Sequence, residues 1–335
     1  MDIAATEIPL RTLDAAPAEL GNCTPGELYS FFHDLARFDD EGWIARRGRP
    51  KDAWAAVDLD RYQSLAEYIG CCRRVHSGNA VRDAIKAERL GYYGKFFDLA
   101  SHVPDMAAID MSSPERGGQP MTPFYQRTVE ERGGYPKQIA AERVPRQAAS
   151  WVRLFGLFRK REGYLQGEAV CGEQLLAYAS FRRYGNFTFY GAFIGHADHL
   201  PDGIMYRMHL ELVAALLAAR GVASGLDGVS DCLKGIRYIG YGEYFGIRPG
   251  LLTWKRRMLF EPVYLQFDYL APAYVEPLCT AAESAGSGSQ AEFARLLAAA
   301  AEECRNAGNS ENAAKAEAAL AAIAGRHEGA VDAPR

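Results

Sequence analysis

The sequence predicts an α/β (α+β) fold, a mixed sheet with flanking helices followed by a C-terminal helical hairpin. Three observations predict it. From Gly191 to Gln266 the chain reads strand, loop, amphipathic helix, strand, short basic helix, strand, an order that lays helices on a sheet. From Trp151 to Ile194, β-rich runs are separated by turns at Gly172 and Gly185, as in a meander of hairpins. After Glu283, Ser284-Ala-Gly-Ser-Gly-Ser289 reads as a flexible linker, and two Ala-rich stretches of high helix propensity follow it, Gln290 to Arg305 and Glu311 to Ala324.

Taken in order, residues 1–25 are punctuated by Pro9, Pro17 and Pro25 and read as an N-terminal arm. Gly26 to Phe38, Leu65 to Arg74 and Ala80 to Leu90 carry helical periodicity, the last stopped by Gly91. Tyr92 to Phe97 is the pattern of a strand and Val103 to Met111 that of a helix. Ser113 to Pro120, with Pro114 and an adjacent glycine pair, is a loop. Pro136, Pro145 and Gly133-Gly134 break structure again and put a boundary near residue 150, between a first half (26–150) and a second (151–270). Trp151 to Phe158, Tyr164 to Val170, Glu173 to Tyr184 and Phe187 to Ile194 form the meander. After Ile204 the apolar residues Met205, Met208, Leu212, Val213, Leu216 and Ala219 share one helical face, and Arg220-Gly221 ends that helix. Ile236 to Tyr241 is β-rich, Gly250 to Arg257 a short helix, and Glu261 to Gln266 the closing strand. The tail, 284–326, is a helical hairpin with Ser310 as a helix cap, suited to packing or homo-oligomerisation.

At 335 residues and 48% hydrophobic content the chain has the make-up of a globular protein that buries its own core. The formal charge is −4, from 38 basic and 42 acidic residues, so no global field draws it onto nucleic acid and a polyanion would need a local patch. Seven scattered cysteines without a C-x-x-C pair argue against a disulfide framework and a structural zinc site, and fit a reducing cytoplasm. No apolar run approaches the length of a membrane span.

Two patches carry a resemblance. Gly250-Leu251, Trp254-Lys255-Arg256-Arg257 and Leu259-Phe260-Glu261-Pro262 resemble the closing segment of the Fem-type aminoacyltransferases of the GNAT superfamily, with Leu259 where that motif has glycine. The run from Arg82 through Lys86 and Arg89 to Gly91 is similar to a helix end in the first half of those proteins. The resemblance covers roughly residues 60–265. It implies a GNAT-like sheet, a doubled arrangement with a degenerate first half, and transfer of an activated acyl or aminoacyl group to an amine.

Such a transfer needs a slot in the sheet for the donor carbonyl, a base for the amine proton and an acid for the leaving group. No metal or redox cofactor is required. The resemblance implies a slot between Phe193–Gly195 and Ile239–Glu243, with Glu243 as base and Tyr241 as acid; the alternative is a plain strand end. Asp227, in Gly225-Leu-Asp-Gly228, competes for the base role or simply makes a turn. Arg82, Lys86 and Arg89 at i, i+4 and i+7, and the consecutive Lys255, Arg256 and Arg257, are candidate anion contacts or solvated faces. Arg116 and Gln119 suit a substrate-gripping loop or a connector. His196, His199 and His209 read as solvated rather than metal-bound, since no carboxylate–histidine motif frames them. The resemblance implies that a coenzyme A pyrophosphate cradle would precede the long helix, but His199-Leu-Pro-Asp-Gly-Ile-Met205 places Asp202 there. That favours aminoacyl-tRNA or a carrier-bound acyl group as donor and a small-molecule or peptide amine as acceptor. An acyl-CoA-dependent N-acyltransferase with an atypical loop and a non-catalytic binding protein are the alternatives.

Overall fold

The computed structural model describes residues 11–14, 53–116, 119–140, 150–221, 232–266, 275–284, 290–306 and 308–329. In chain order the main elements are β1 (Arg11–Asp14), β2 (Trp54–Asp58), α1 (Leu65–Arg74), α2 (Asn79–Arg89), β3 (Tyr92–Phe97), α3 (Val103–Met111), β4 (Glu115–Arg116) and β5 (Gln119–Pro120). Then come β6 (Ser150–Lys160), β7 (Leu165–Gln166), β8 (Ala169–Val170), β9 (Glu173–Tyr184), β10 (Phe187–Gly195), α4 (Ile204–Arg220) and β11 (Tyr238–Glu243). The last are α5 (Pro249–Arg257), β12 (Glu261–Gln266), α6 (Val275–Ser284), α7 (Gln290–Asn306) and α8 (Ser310–Gly329).

Two compact units result, one of Trp54–Arg183 with Thr188–Pro262, the other of Met1–Ala53, Tyr184–Phe187 and Val263–Arg335. In the first, strands run in the order β2-β11-β10-β9-β6-β3. β2 and β3, from the span expected as a first half, thus share one sheet with β6, β9, β10 and β11 from the second. β3 pairs antiparallel with β6, Tyr92 opposite Arg159 through Phe97 opposite Leu154, and β11 antiparallel with β2.

The helices start where local chemistry satisfies free amides. Ser64 accepts from the Glu67 amide (3.2 Å), while the Glu67 carboxylate accepts from the Gln63 amide (2.7 Å), so two donors at the start of α1 are matched. α3 covers one sheet face through Met106 and Ile109, which join Phe97, Phe158, Leu175 and Ile194 in one apolar cluster. Beneath it the buried Asp110 accepts from Arg132 (2.7 Å) and from the Tyr178 hydroxyl (2.8 Å), which ties the segment after β5 to the sheet. α4 buries Ile204, Met208, Leu212, Val213, Leu216 and Ala219. Each buried side chain of Leu or Ile size contributes about 1.5–3 kcal/mol. An exposed pair such as Arg61–Glu261 (2.7 Å) is worth about 0–1 kcal/mol, so packing of α4 outweighs the surface ion pairs.

In the second unit β1 lies parallel to β12, Arg11 opposite Val263 through Asp14 opposite Gln266, so a strand falls within the span expected as an arm. The tail holds α7 and α8, the helices expected there, and α6 packs on both. The helix expected over Gly26–Phe38 lies outside the described residues. Among the described residues no helix is long and apolar enough to cross a membrane.

Candidate active site

β10 and β11 are neighbours joined through α4, and both lose regular alternation at one level. On β10, Ala192 and Ile194 pack with the α3 cluster. Tyr190 and Phe193 instead meet each other (ring centroids 4.6 Å apart), and both meet Tyr241 of β11 at 5.5 and 5.3 Å. Side chains of a regular strand alternate, so residues three apart on one face mark a slip, which falls at the exposed Gly191. On β11, Gly240 lies opposite Ala56 and Glu243 opposite Trp54, three steps against two. Gly242 absorbs the extra residue at φ +53°, a conformation that favours glycine. A cavity of about 250 Å³ opens beside β10, with Ala192, Ser180 and Tyr178 in one wall and Met106 and Phe124 in another.

Glu243 is exposed at the end of β11. Burial pushes the Tyr241 phenol up, so it stays protonated at neutral pH. Above these residues sits α5. Successive residues on a helix point about 100° apart, which separates the three consecutive basic side chains. Lys255 turns inward, 1% exposed; its ammonium donates to the Glu243 carbonyl (2.6 Å) and lies 4.7 Å from the Tyr241 ring centroid. Burial lowers its pKa to about 8. Arg256 donates to the Tyr244 hydroxyl (3.3 Å) and Arg257 to that of Tyr206 (3.1 Å). The run therefore makes no common anion-binding face, and Lys255 is a core ammonium.

The turn that ends α5 aims its neighbours. Phe260 N–H donates to the Lys255 carbonyl (2.9 Å) and Leu259 N–H to that of Arg256 (3.2 Å), the two bonds of a Schellman motif. Such a turn needs a left-handed residue, and Leu259 has φ +60°, which costs an L-residue about 1–2 kcal/mol. A glycine would adopt this conformation without that cost. Phe260 thereby reaches Trp254 (5.7 Å) and Tyr241 (6.3 Å), and Trp254 reaches Phe193 (5.0 Å). The buried indole Nε1 of Trp254 has no hydrogen-bond partner among the described residues.

His209, expected as solvated, is fully buried on α4. Its hydrogen bonds form a directed chain. The Tyr68 hydroxyl donates its only proton to the Met258 carbonyl (2.6 Å), so it must accept from His209 Nε2–H (2.8 Å). Nδ1 is then the acceptor, and the Tyr190 hydroxyl donates to it (2.7 Å). Burial lowers the His209 pKa to about 3, so the ring stays neutral and positions β10 against the turn after α5.

The start of α4 is closed by protein. Asp202 accepts from Tyr92 (2.9 Å) and pairs with Lys86 (3.3 Å), while His199 Nδ1 meets the Tyr92 hydroxyl (2.7 Å). His196 is half-buried, and burial lowers its pKa. Arg82 holds the Ser77 carbonyl (3.2 Å) and Arg89 is exposed. Lys86 is thus neutralised, and the expected trio is not a joint anion site. Gly203 caps α4 at φ +84°, and a Cβ there would collide with the Asp83 carbonyl of α2. Gly203→Ala is therefore expected to lower stability by about 1–3 kcal/mol, read as a drop in the urea midpoint at unchanged m-value.

Arg116 grips protein: it donates to the carbonyls of Gly195 (2.8 Å) and Ile109 (2.7 Å) and to the Ser112 hydroxyl (3.0 Å), which fixes the β4–β5 hairpin against the end of β10. Gln119 is exposed on that hairpin, and Arg248, just before α5, donates to the Arg116 carbonyl. Asp227 lies outside the described residues. The structure thus brings Tyr241, Glu243 and Lys255 together, with Arg116 bound to the end of β10. A signal for His209 was present, since it falls on the apolar stripe of α4 between Met205 and Leu212; none marked Lys255 as buried. No protein-family model and no curated protein matches this chain.

Proposed function

We propose that the chain is a GNAT-like acyltransferase that passes an activated acyl or aminoacyl group to an amine and forms an amide. The observation that carries this reading is the paired irregularity of β10 and β11, at Gly191 and at Gly242, which lies beside Glu243 and under the cluster of Tyr190, Phe193, Tyr241 and Trp254. Backbone groups freed from strand pairing are suited to hold a donor carbonyl. Glu243 accepts the proton of the attacking ammonium, Tyr241 donates to the departing oxygen or sulfur, and the Lys255 ammonium adds positive potential where charge develops on the carbonyl. A donor without a pyrophosphate requirement, aminoacyl-tRNA or a carrier-bound acyl group, is supported by the start of α4, where Asp202 and the packing of Gly203 on α2 occupy the place of a phosphate cradle.

Incubation of the purified protein with charged tRNA, acylated carrier protein and a panel of acyl-CoA thioesters, with an amine acceptor mixture, tests this by mass spectrometry of donor loss and amide gain. Turnover is expected with a non-CoA donor, and calorimetry is expected to find coenzyme A bound no more tightly than micromolar. Turnover confined to acyl-CoA would reverse the donor assignment, and amide formation from none of the donors would overturn the enzymatic reading.

A further inference from the structure

We propose that His102, Cys171 and Glu173 form a binding site for a divalent transition-metal ion of the zinc class, apart from the residues assigned to acyl transfer. One nitrogen of His102, the Cys171 sulfur and a Glu173 carboxylate oxygen all lie within 4.8 Å of one another. His102 immediately precedes α3; Cys171 and Glu173 flank Gly172, whose φ of +70° makes the turn into β9. The set combines an imidazole, a thiol and a carboxylate, the ligand types that zinc accepts, and three protein ligands leave a fourth position open.

The imidazole points to a ligand independently of the cluster. His102 is 2% exposed, and its Nδ1 is buried without a hydrogen-bond partner among the described residues. A buried polar atom left unmatched costs about 1–3 kcal/mol, a cost that a bound ion would offset. The rings of Phe97 (5.3 Å) and Phe158 (5.1 Å) pack edge-on against the imidazole and fix its plane. Burial lowers the His102 pKa to about 4, so the ring is neutral and its lone pair free for coordination at neutral pH.

Ligands around zinc sit about 3.3–3.8 Å from each other, given bonds of about 2.0–2.3 Å, so the three side chains need draw in by no more than about 1–1.5 Å to coordinate an ion. Two groups hold Glu173: Lys95 pairs with one carboxylate oxygen and the Tyr93 hydroxyl donates to the other. The Lys95 side chain is 43% exposed, so its ammonium has a route into solvent when an ion arrives. Burial raises the Cys171 pKa, so the thiol is protonated before binding. Coordination breaks that S–H bond, forms the metal–sulfur bond and releases one proton to the buffer.

Cobalt(II) titration of the chelator-treated full-length chain tests the site. One ion per chain is expected, with a near-ultraviolet thiolate-to-cobalt charge-transfer band, release of one proton, and loss of the band on adding Zn²⁺. Cys171→Ser should abolish the band and the proton release, and Glu173→Gln should weaken binding by about tenfold or more. Lys95→Met should tighten binding, since it removes the cation that competes for Glu173. The last effect has no counterpart in a purely structural cluster. No charge-transfer band in the wild-type chain, or a band that survives Cys171→Ser, overturns the proposal. Should His102→Gln fail to fold, the Cys171, Glu173 and Lys95 variants decide the matter.

Discussion

Glu243→Gln is expected to lower amide-forming turnover by about 10²–10⁴-fold, the usual size of a lost general base. Stability should stay within about 0.5 kcal/mol of the wild type, because the change removes one charge from an exposed side chain. Turnover against pH, measured with the donor that the panel selects, and urea unfolding of the same preparation separate the two effects. Asp227→Asn is the matched control: it removes the competing carboxylate and leaves a residue that suits a turn. If Asp227→Asn abolishes turnover while Glu243→Gln keeps it, the base belongs to the segment between α4 and β11.

His209 is expected to make the fold acid-sensitive. Its pKa is about 3 in the native chain and about 6.5 when unfolded, so below pH 6.5 the unfolded chain binds a proton that the native chain refuses. The stabilisation is fully present above pH 6.5 and lost as pH falls toward 3, a change on the order of 5 kcal/mol for this one residue. His102, held at about 4 by burial, acts in the same direction. Asp105 acts oppositely, because burial raises it to about 6 and the native chain takes its proton first between pH 6 and 3.8. Near pH 5 these three leave a net of one proton, or about 1.4 kcal/mol per pH unit. His209→Gln should reduce the slope of stability against pH, measured by urea unfolding from pH 6 to 4.5, by one proton. Equal slopes for the two proteins would show that the native ring is protonated.

Much of the secondary structure was legible because local pattern decided it. Leu65–Arg74, Tyr92–Phe97, Val103–Met111, Ile204–Arg220 and Glu261–Gln266 occupy the residues that periodicity and glycine punctuation assign them. Strand order was not legible, because β2 and β3 take places on the sheet fixed by partners far along the chain. The basic run in α5 misleads for a similar reason: three adjacent charges look like one solvated face, but helical rotation sends Lys255 under Tyr241 while Arg256 and Arg257 reach other tyrosines. Arg116 reads in sequence as part of a substrate-gripping loop or a connector, and nothing in sequence said that its guanidinium is taken up by the carbonyls of Gly195 and Ile109. Lys86 likewise looks free until the fold sets Asp202 beside it.

The hydrogen-bond chain through His209 also bears on how the molecule is assembled in time. Tyr68 meets a histidine 141 positions away and a carbonyl 190 positions away. Closing loops of that length costs chain entropy before any contact rewards it, and each partner must already be desolvated for the bonds to count. The network is therefore expected to close late in folding, once the sheet and α4 have docked. Interactions formed that late slow unfolding and leave the folding rate nearly untouched. On that expectation the buried histidine lengthens the lifetime of the native state without helping it to form.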